Sequence, residues 1–159
     1  MPTPSEIAED EQERRNRQLS ELLQELRVAM PGVQILFAFL LAVPFNQRFG
    51  ETTTFQRDVY LVVLLCSAVA AAFFIAPTAY HRIMFEQGDK RRLIRLATGM
   101  AVLGLAALAL AMSGAILLVA DFLFDRTTAW ILFAATLGLF TGLWFVLGVL
   151  RRTYKELAE

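Results

Sequence analysis

The sequence predicts an all-α fold: an integral membrane four-helix bundle preceded by a cytoplasmic amphipathic N-terminal helix. Three observations lead there. Hydrophobic residues make up 57% of the 159-residue chain, with mean hydropathy +0.52, which is more apolar surface than one soluble core of this size can bury. The apolar residues gather into four long runs, Val28–Phe45, Val59–Ala79, Ala97–Ala120 and Ala129–Leu150. Charged residues, only 19% of the total, sit almost wholly in the tails and in the segments between those runs.

Each run is of the order of the ~20 residues that a helix needs to cross about 30 Å of hydrocarbon, the first being the shortest. Lipid offers no partner for backbone amides, so a spanning segment is a helix or a strand of a closed barrel. Uninterrupted apolar runs without alternation exclude the barrel. The expected organisation is therefore a tail over 1–27, a four-span domain over 28–150 (spans 28–45, 59–79, 97–120 and 129–150) and a second tail over 151–159.

Orientation follows from the basic residues. One side carries Arg14, Arg15, Arg17 and Arg27 in the N-terminal tail, Arg82, Lys90, Arg91, Arg92 and Arg95 between spans two and three, and Arg151, Arg152 and Lys155 after span four. The other side carries only Arg48, Arg57 and Arg126. The positive-inside rule then places both termini in the cytoplasm of a cell whose inner membrane holds the protein. Tyr60 and Trp130 at the outer ends of spans two and four, with Tyr80 and Tyr154 at inner boundaries, fit an interfacial aromatic belt.

The tail from Ser5 to Ala29 reads as a surface helix. Ser5 is a candidate cap, and Asp10/Arg14, Glu11/Arg15 and Glu13/Arg17 stand at i, i+4. Leu19, Leu22, Leu23 and Leu26 form a short apolar stripe, expected to be a packing or interfacial face. Pro31 and Gly32 are expected to mark the bend into the bilayer. Between spans two and three, Gly88 and Asp89 read as a turn and cap from which Lys90–Arg95 begins the third helix.

Several functions are excluded or disfavoured by composition. Fifteen basic residues balance fifteen acidic ones, with no basic face of the kind a nucleic-acid partner requires. A single cysteine, Cys66, and a single histidine, His81, cannot build a Cys/His metal cage or a bis-histidine haem site. The charged first 27 residues lack the apolar core and cleavage site of a signal peptide. No phosphate-binding glycine loop, dinucleotide fingerprint or HExxH is present, and Ser113 has no activating acid or histidine nearby in sequence. No cofactor is expected, and no enzyme.

The residues that remain of interest fall into three groups. The first is Gln34, Thr78, Tyr80, His81 and Arg82, near the inner ends of spans one and two. A buried amide such as Gln34 needs a partner in lipid, so it serves either as interhelical glue, the preferred reading, or as part of a polar lining. His81 titrates in the physiological range, although a boundary histidine is ordinarily a solvated side chain rather than a pH sensor. The second group is an outer pair, Arg48 with Asp121, for which a hydrated Asp121 is the alternative. The third is Lys90, Arg91, Arg92 and Arg95, which can contact anionic lipid headgroups or simply set topology. Small residues at Ala107, Ala111 and Ala115, and the Gly138/Gly142 pair, permit close helix approach, expected to be internal packing before oligomerisation.

Glu21-Leu22-Leu23-Gln24-Glu25-Leu26-Arg27, then Pro31-Gly32-Val33-Gln34, and Ala76-Pro77-Thr78-Ala79-Tyr80-His81-Arg82 carry a resemblance. Through them the chain, from about Glu21 onward, resembles a bacterial family of small multi-span membrane proteins defined by a domain of unknown function. The resemblance implies a shared fold, assigns no activity, and directs interest to Arg27, Pro31, Gln34, Pro77, His81 and Arg82. Two functions stay open: an accessory or scaffolding subunit of a membrane complex, with a membrane-protein partner, and a small oligomeric channel or carrier lined along spans one and two. The first is preferred because intramembrane ionisable residues, the usual mark of an ion path, are scarce.

Overall fold

The computed structural model describes residues 4–83 and 90–146. Four helices account for almost all of them: α1 (Pro4–Ala42), α2 (Thr54–Ile83), α3 (Lys90–Leu123) and α4 (Arg126–Thr141). Two short 3₁₀ turns, Val43–Phe45 and Gln47–Glu51, join α1 to α2, and a π-helical turn, Gly142–Val146, follows α4. Among the described residues there is no strand. Four helical stretches are long and apolar enough to cross a membrane: Ser20–Phe45, Thr54–Tyr80, Ile94–Leu123 and Arg126–Val146. The all-α expectation is met, four helices are long and apolar enough to be spans, and α3 is already helical at Lys90, ahead of its apolar stretch.

The N-terminal tail departs from expectation. It is no separate surface helix: α1 runs unbroken through Pro31 and Gly32, both of which lie on its exposed face. The reason is visible in the packing. Leu22, Leu26, Ala29, Val33, Leu36, Leu40 and Val43 alternate spacings of four and three residues, and all seven pack into the core shared with α2 and α3. That 3.5-residue repeat is the seam of a left-handed helix pair, and it crosses the boundary between tail and span without a break. Leu22 and Leu26 are therefore core residues. Proline removes only the amide that would bond the Arg27 carbonyl, a loss that membrane helices tolerate.

The same rhythm organises α2, where Gln56, Tyr60, Val63, Ser67, Ala70, Phe74 and Pro77 form the buried face. α3 is buried on two sides. Ala97, Leu108 and Ala111 belong to the core, with Gly104 against α2, while Leu117 and Ala120 meet Ala129 of α4. Close approach to α2 requires the glycines. A Cβ on Gly104 would stand 2.5 Å from Cε1 of Phe74, and one on Gly114 would stand 2.5 Å from Cγ2 of Val63. Ala107 and Ala115 also pack into the core, so the small-residue face of α3 serves internal packing.

The bundle is uneven. Of the most apolar window of each helix, 39% is buried in α3 but only 6% in α4, which rests chiefly on α3. α1 covers the seam between α2 and α3.

Two hydroxyls inside the apolar zone bond to their own helices. Ser67 donates to the Leu64 carbonyl at 2.8 Å, and Thr136 to the Leu132 carbonyl at 2.8 Å. The Ser113 hydroxyl, fully buried on α3, has no such partner.

Candidate functional site

Among the described residues, polar side chains bond from helix to helix at the end of the bundle where α1 turns into α2 and α3 turns into α4, here termed the two-loop end. The arrangement starts with a cap. Thr53 and Gln56 form a reciprocal box at the start of α2: the Gln56 amide donates to the Thr53 hydroxyl at 3.3 Å, and the Thr53 amide donates to Oε1 of Gln56 at 3.0 Å. The other end of the same side chain, Nε2, donates to Oδ2 of Asp121 at 2.9 Å. Asp121 is the last acid of α3, and its side chain is only 6% exposed. Its second oxygen, Oδ1, accepts from Nε of Arg126 at 2.6 Å. One carboxylate thus joins the start of α2, the end of α3 and the start of α4.

Arg126 is held from a second direction, with Cζ 3.8 Å from the centroid of the Phe55 ring. Phe55, Trp130 and Phe133 continue that contact as an aromatic chain along α4. α4 itself is started by Asp125, whose carboxylate accepts from the amides of Thr127 and Thr128 and from the Thr128 hydroxyl. The Thr128 hydroxyl and then those backbone amides hold the Asp125 carboxyl below the usual carboxylate range.

Tyr60 closes the joint between α1 and α2. Pro44 has no amide to give the Leu40 carbonyl four residues earlier, and the Tyr60 hydroxyl supplies the missing donor at 3.0 Å. Phe49 sits edge-on to the Tyr60 ring, 5.5 Å between centroids.

Between the 3₁₀ turns, the start of α2 and the last turns of α3 lies a cavity of about 400 Å³. Val43, Phe49, Leu118, Val119, Phe122 and Leu123 form its apolar wall, and Asn46, Arg48, Thr52, Gln56 and Tyr60 its polar rim.

Asp121 is paired, as a buried carboxylate must be, but with Arg126 and Gln56 rather than with Arg48. The connection between α3 and α4 is only Phe124–Asp125, which folds residue 126 back beside residue 121. Arg48 instead lines the cavity, and its backbone amide donates to Oδ1 of Asn46 at 3.1 Å.

The inner group is not drawn together in the same way. Gln34 is exposed, one residue beyond fully buried Val33; Thr78 and Arg82 are exposed and Tyr80 is half-buried. None of these lines the cavity at the two-loop end. The His81 side chain lies outside the described residues, as do those of Lys90, Arg91 and Arg92, together with Gly88, Asp89 and the C-terminal tail. Arg95 is exposed on α3. Among the described residues no three His, Cys, Asp or Glu side chains come close enough to hold a metal ion.

Gln56 is absent from the sequence expectations, and Arg126 enters them only as a charge that sets orientation. Thr53-Thr54-Phe55-Gln56 is a capping-box pattern that local inspection can find. Its bond to a carboxylate on another helix leaves no local trace.

A family described as a family of unknown function, DUF6328, matches residues 8–148. The chain belongs to DUF6328. The match begins inside the charged N-terminal segment of α1 and ends just past the π-helical turn, so it covers the charged half of α1 together with the four apolar stretches. It agrees with the resemblance carried by the Glu21–Gln34 and Ala76–Arg82 segments. Comparison with curated proteins and with solved structures returned no match.

Proposed function

We propose that this DUF6328 protein is a non-catalytic accessory or scaffolding subunit of a membrane complex, seated in the cytoplasmic membrane with both termini inside. The observation that carries the proposal is the contrast between two pairs of glycines. Gly104 and Gly114 on α3 are filled by Phe74 and Val63, whereas among the described residues nothing lies within 4 Å of a Cβ on Gly138 of α4 or on Gly142, which opens the π-helical turn after it. Those two form a GxxxG pair on the least enclosed apolar stretch among the described residues, Arg126–Val146. Such a pair favours backbone-close packing by another transmembrane helix, because small residues permit van der Waals contact that lipid chains make less well. The intramolecular role expected for this pair is taken instead by the α3 glycines.

Topology supports the same seat. The basic residues at the α2–α3 connection, including Lys90, Arg91, Arg92 and Arg95, face the inner leaflet under the positive-inside rule, where each gains about 1 kcal/mol from anionic headgroups.

The test is purification in mild detergent of the full chain and of a Gly138→Ile/Gly142→Ile variant, recording mass and co-purifying membrane proteins. The expected result is a defined partner retained by the wild type and lost from the variant, with the unfolding midpoint unchanged. An identical partner set in both overturns the role of the pair. A symmetric oligomer of this chain alone that passes ions selectively in liposomes overturns the accessory reading in favour of a channel.

A further inference from the structure

We propose that the cavity at the two-loop end is a binding site for one phospholipid with a net anionic headgroup, its phosphate at Arg48 and one acyl chain along Val119, Phe122 and Leu123. The inference stands apart from the accessory role, which rests on α4.

Size and lining come first. About 400 Å³ falls within the range of small-ligand sites, and the wall is apolar with a few convergent polar groups, the usual make-up of such a site. Next comes the state of those polar groups. The Gln56 side chain is committed to Thr53 and Asp121, the Tyr60 hydroxyl to the Leu40 carbonyl, and the Thr52 hydroxyl to the Phe49 carbonyl and to Nε of Arg57. The Asn46 side-chain oxygen accepts from the Arg48 backbone amide. What is left uncommitted on the rim among the described residues is the Asn46 side-chain nitrogen and the Arg48 guanidinium, and of these only the guanidinium carries charge.

The other cations at this end are used. Arg126 is bound to Asp121, and Arg57 donates to Thr52 and to the Gly50 carbonyl. Glu51, on the same 3₁₀ turn as Arg48, neither pairs with it nor lines the cavity. The rim therefore presents one unneutralised positive charge above an apolar trough. Guanidinium suits phosphate because its planar donors match two oxygens at once.

Depth selects a membrane lipid over a soluble anion. The cavity lies where three spanning stretches terminate: Ser20–Phe45 ends, Thr54–Tyr80 begins and Ile94–Leu123 ends beside it. Val119, Phe122 and Leu123 are exposed on the bundle surface, so the trough opens sideways toward the hydrocarbon while Arg48 sits at the headgroup level. An amphiphile fits both halves. This site is at the opposite end of the bundle from the Lys90–Arg95 cluster and so is separable from bulk attraction to the other leaflet.

The experiment uses delipidated full-length protein in neutral detergent, titrated with phosphatidylglycerol or phosphatidylcholine and read by native mass spectrometry. Wild type is expected to take up one phosphatidylglycerol in preference to phosphatidylcholine. Arg48→Gln should reduce that preference about fivefold, the effect of one basic side chain beside an anionic headgroup. Val119→Trp, an exposed position that fills the trough without touching the core, should lower occupancy by both lipids. Wild type showing no preference, Arg48→Gln keeping the preference, or Val119→Trp binding as wild type does, overturns the proposal. Inorganic phosphate displacing the lipid as well as a long-chain competitor does so too, because it identifies a free-anion site.

Discussion

Alanine in place of Gly104 sets two effects of known size against each other. In a helix interior the change ordinarily stabilises by up to about 1 kcal/mol, because glycine loses more backbone entropy. Here the new methyl would meet Cε1 of Phe74 at 2.5 Å, Cδ1 at 2.7 Å and Cβ of Phe73 at 3.3 Å. Ordinary carbon contacts lie near 3.5–4.0 Å, so the ring or the helix must retreat by about 1 Å. Phe74 has 0% exposure and is packed among Val33, Ala70 and Leu108, which leaves its ring no free direction. Overpacking of this kind costs about 1–3 kcal/mol, so the cost exceeds the propensity gain and the net is a destabilisation of about 1 kcal/mol. Gly138→Ala provides the matched control, since it has the same chemistry in open space and should leave stability unchanged or slightly raised. Both can be read as shifts in a reversible SDS-unfolding curve followed by tryptophan fluorescence, where Trp144, packed on the Phe74 cluster, is a local reporter. Adding Phe74→Leu to the Gly104 variant should recover part of the loss in a double-mutant cycle. A Gly104 variant as stable as the Gly138 control would mean that α2 and α3 do not approach so closely, and the reasoning would fail with it.

The polar node and its neighbours yield three further expectations. Gln56→Leu should destabilise by about 1–3 kcal/mol in the same assay, since Asp121 loses a charge-assisted bond and α2 its cap, whereas Arg48→Gln should stay within about 0.5 kcal/mol. Equal effects would restore Arg48 as the partner of Asp121. Tyr60→Phe should cost about 1–3 kcal/mol by orphaning the Leu40 carbonyl, and pairing it with Pro44→Ala, which returns an amide to that carbonyl, should shrink the loss; an unchanged loss would assign it to packing. Asp125 carries a pH dependence of fixed sign. Its folded pKa is depressed, so its contribution is complete above the ordinary carboxylate value of about 3.9 and disappears as pH falls through the lower folded value. Amide protection at Thr127 and Thr128, corrected for intrinsic exchange, should fall in that acid window for wild type but not for Asp125→Asn, and parallel profiles would exclude the cap as the cause.

Much of the architecture was legible because a bilayer imposes it. Long apolar runs and segregated charge leave one class of solution, and the four helices follow. α1 crosses the boundary that composition suggests because packing period governs it. Arg27 and Pro31 look like a boundary between a charged tail and a span, yet Leu22, Leu26, Ala29 and Val33 keep the 3.5-residue seam across both. A search for heptad spacing rather than for hydropathy finds that continuity. Asp121 could be singled out from sequence as a lone acid at the end of a span, but its partner could not. Choosing between Arg48 and Arg126 requires knowing that two residues of connection return the chain beside Asp121, and Gln56 lies 65 residues away. Gln34 looked like an inward amide, and the heptad explains why it is not: it follows Val33, and the buried position is Val33 itself.

The continuity of α1 also makes it a torsion rod. Its 39 residues extend about 58 Å, nearly twice the thickness of the hydrocarbon, so a long charged segment continues the axis of the span. The register of the seam fixes which way the outer segment points. A one-residue insertion near Arg27 rotates everything before it by about 100° relative to the span, while seven residues restore the azimuth nearly in full. Any surface that reads the direction of that charged arm therefore senses the angular setting of α1 within the bundle, because the helix is unbroken between them.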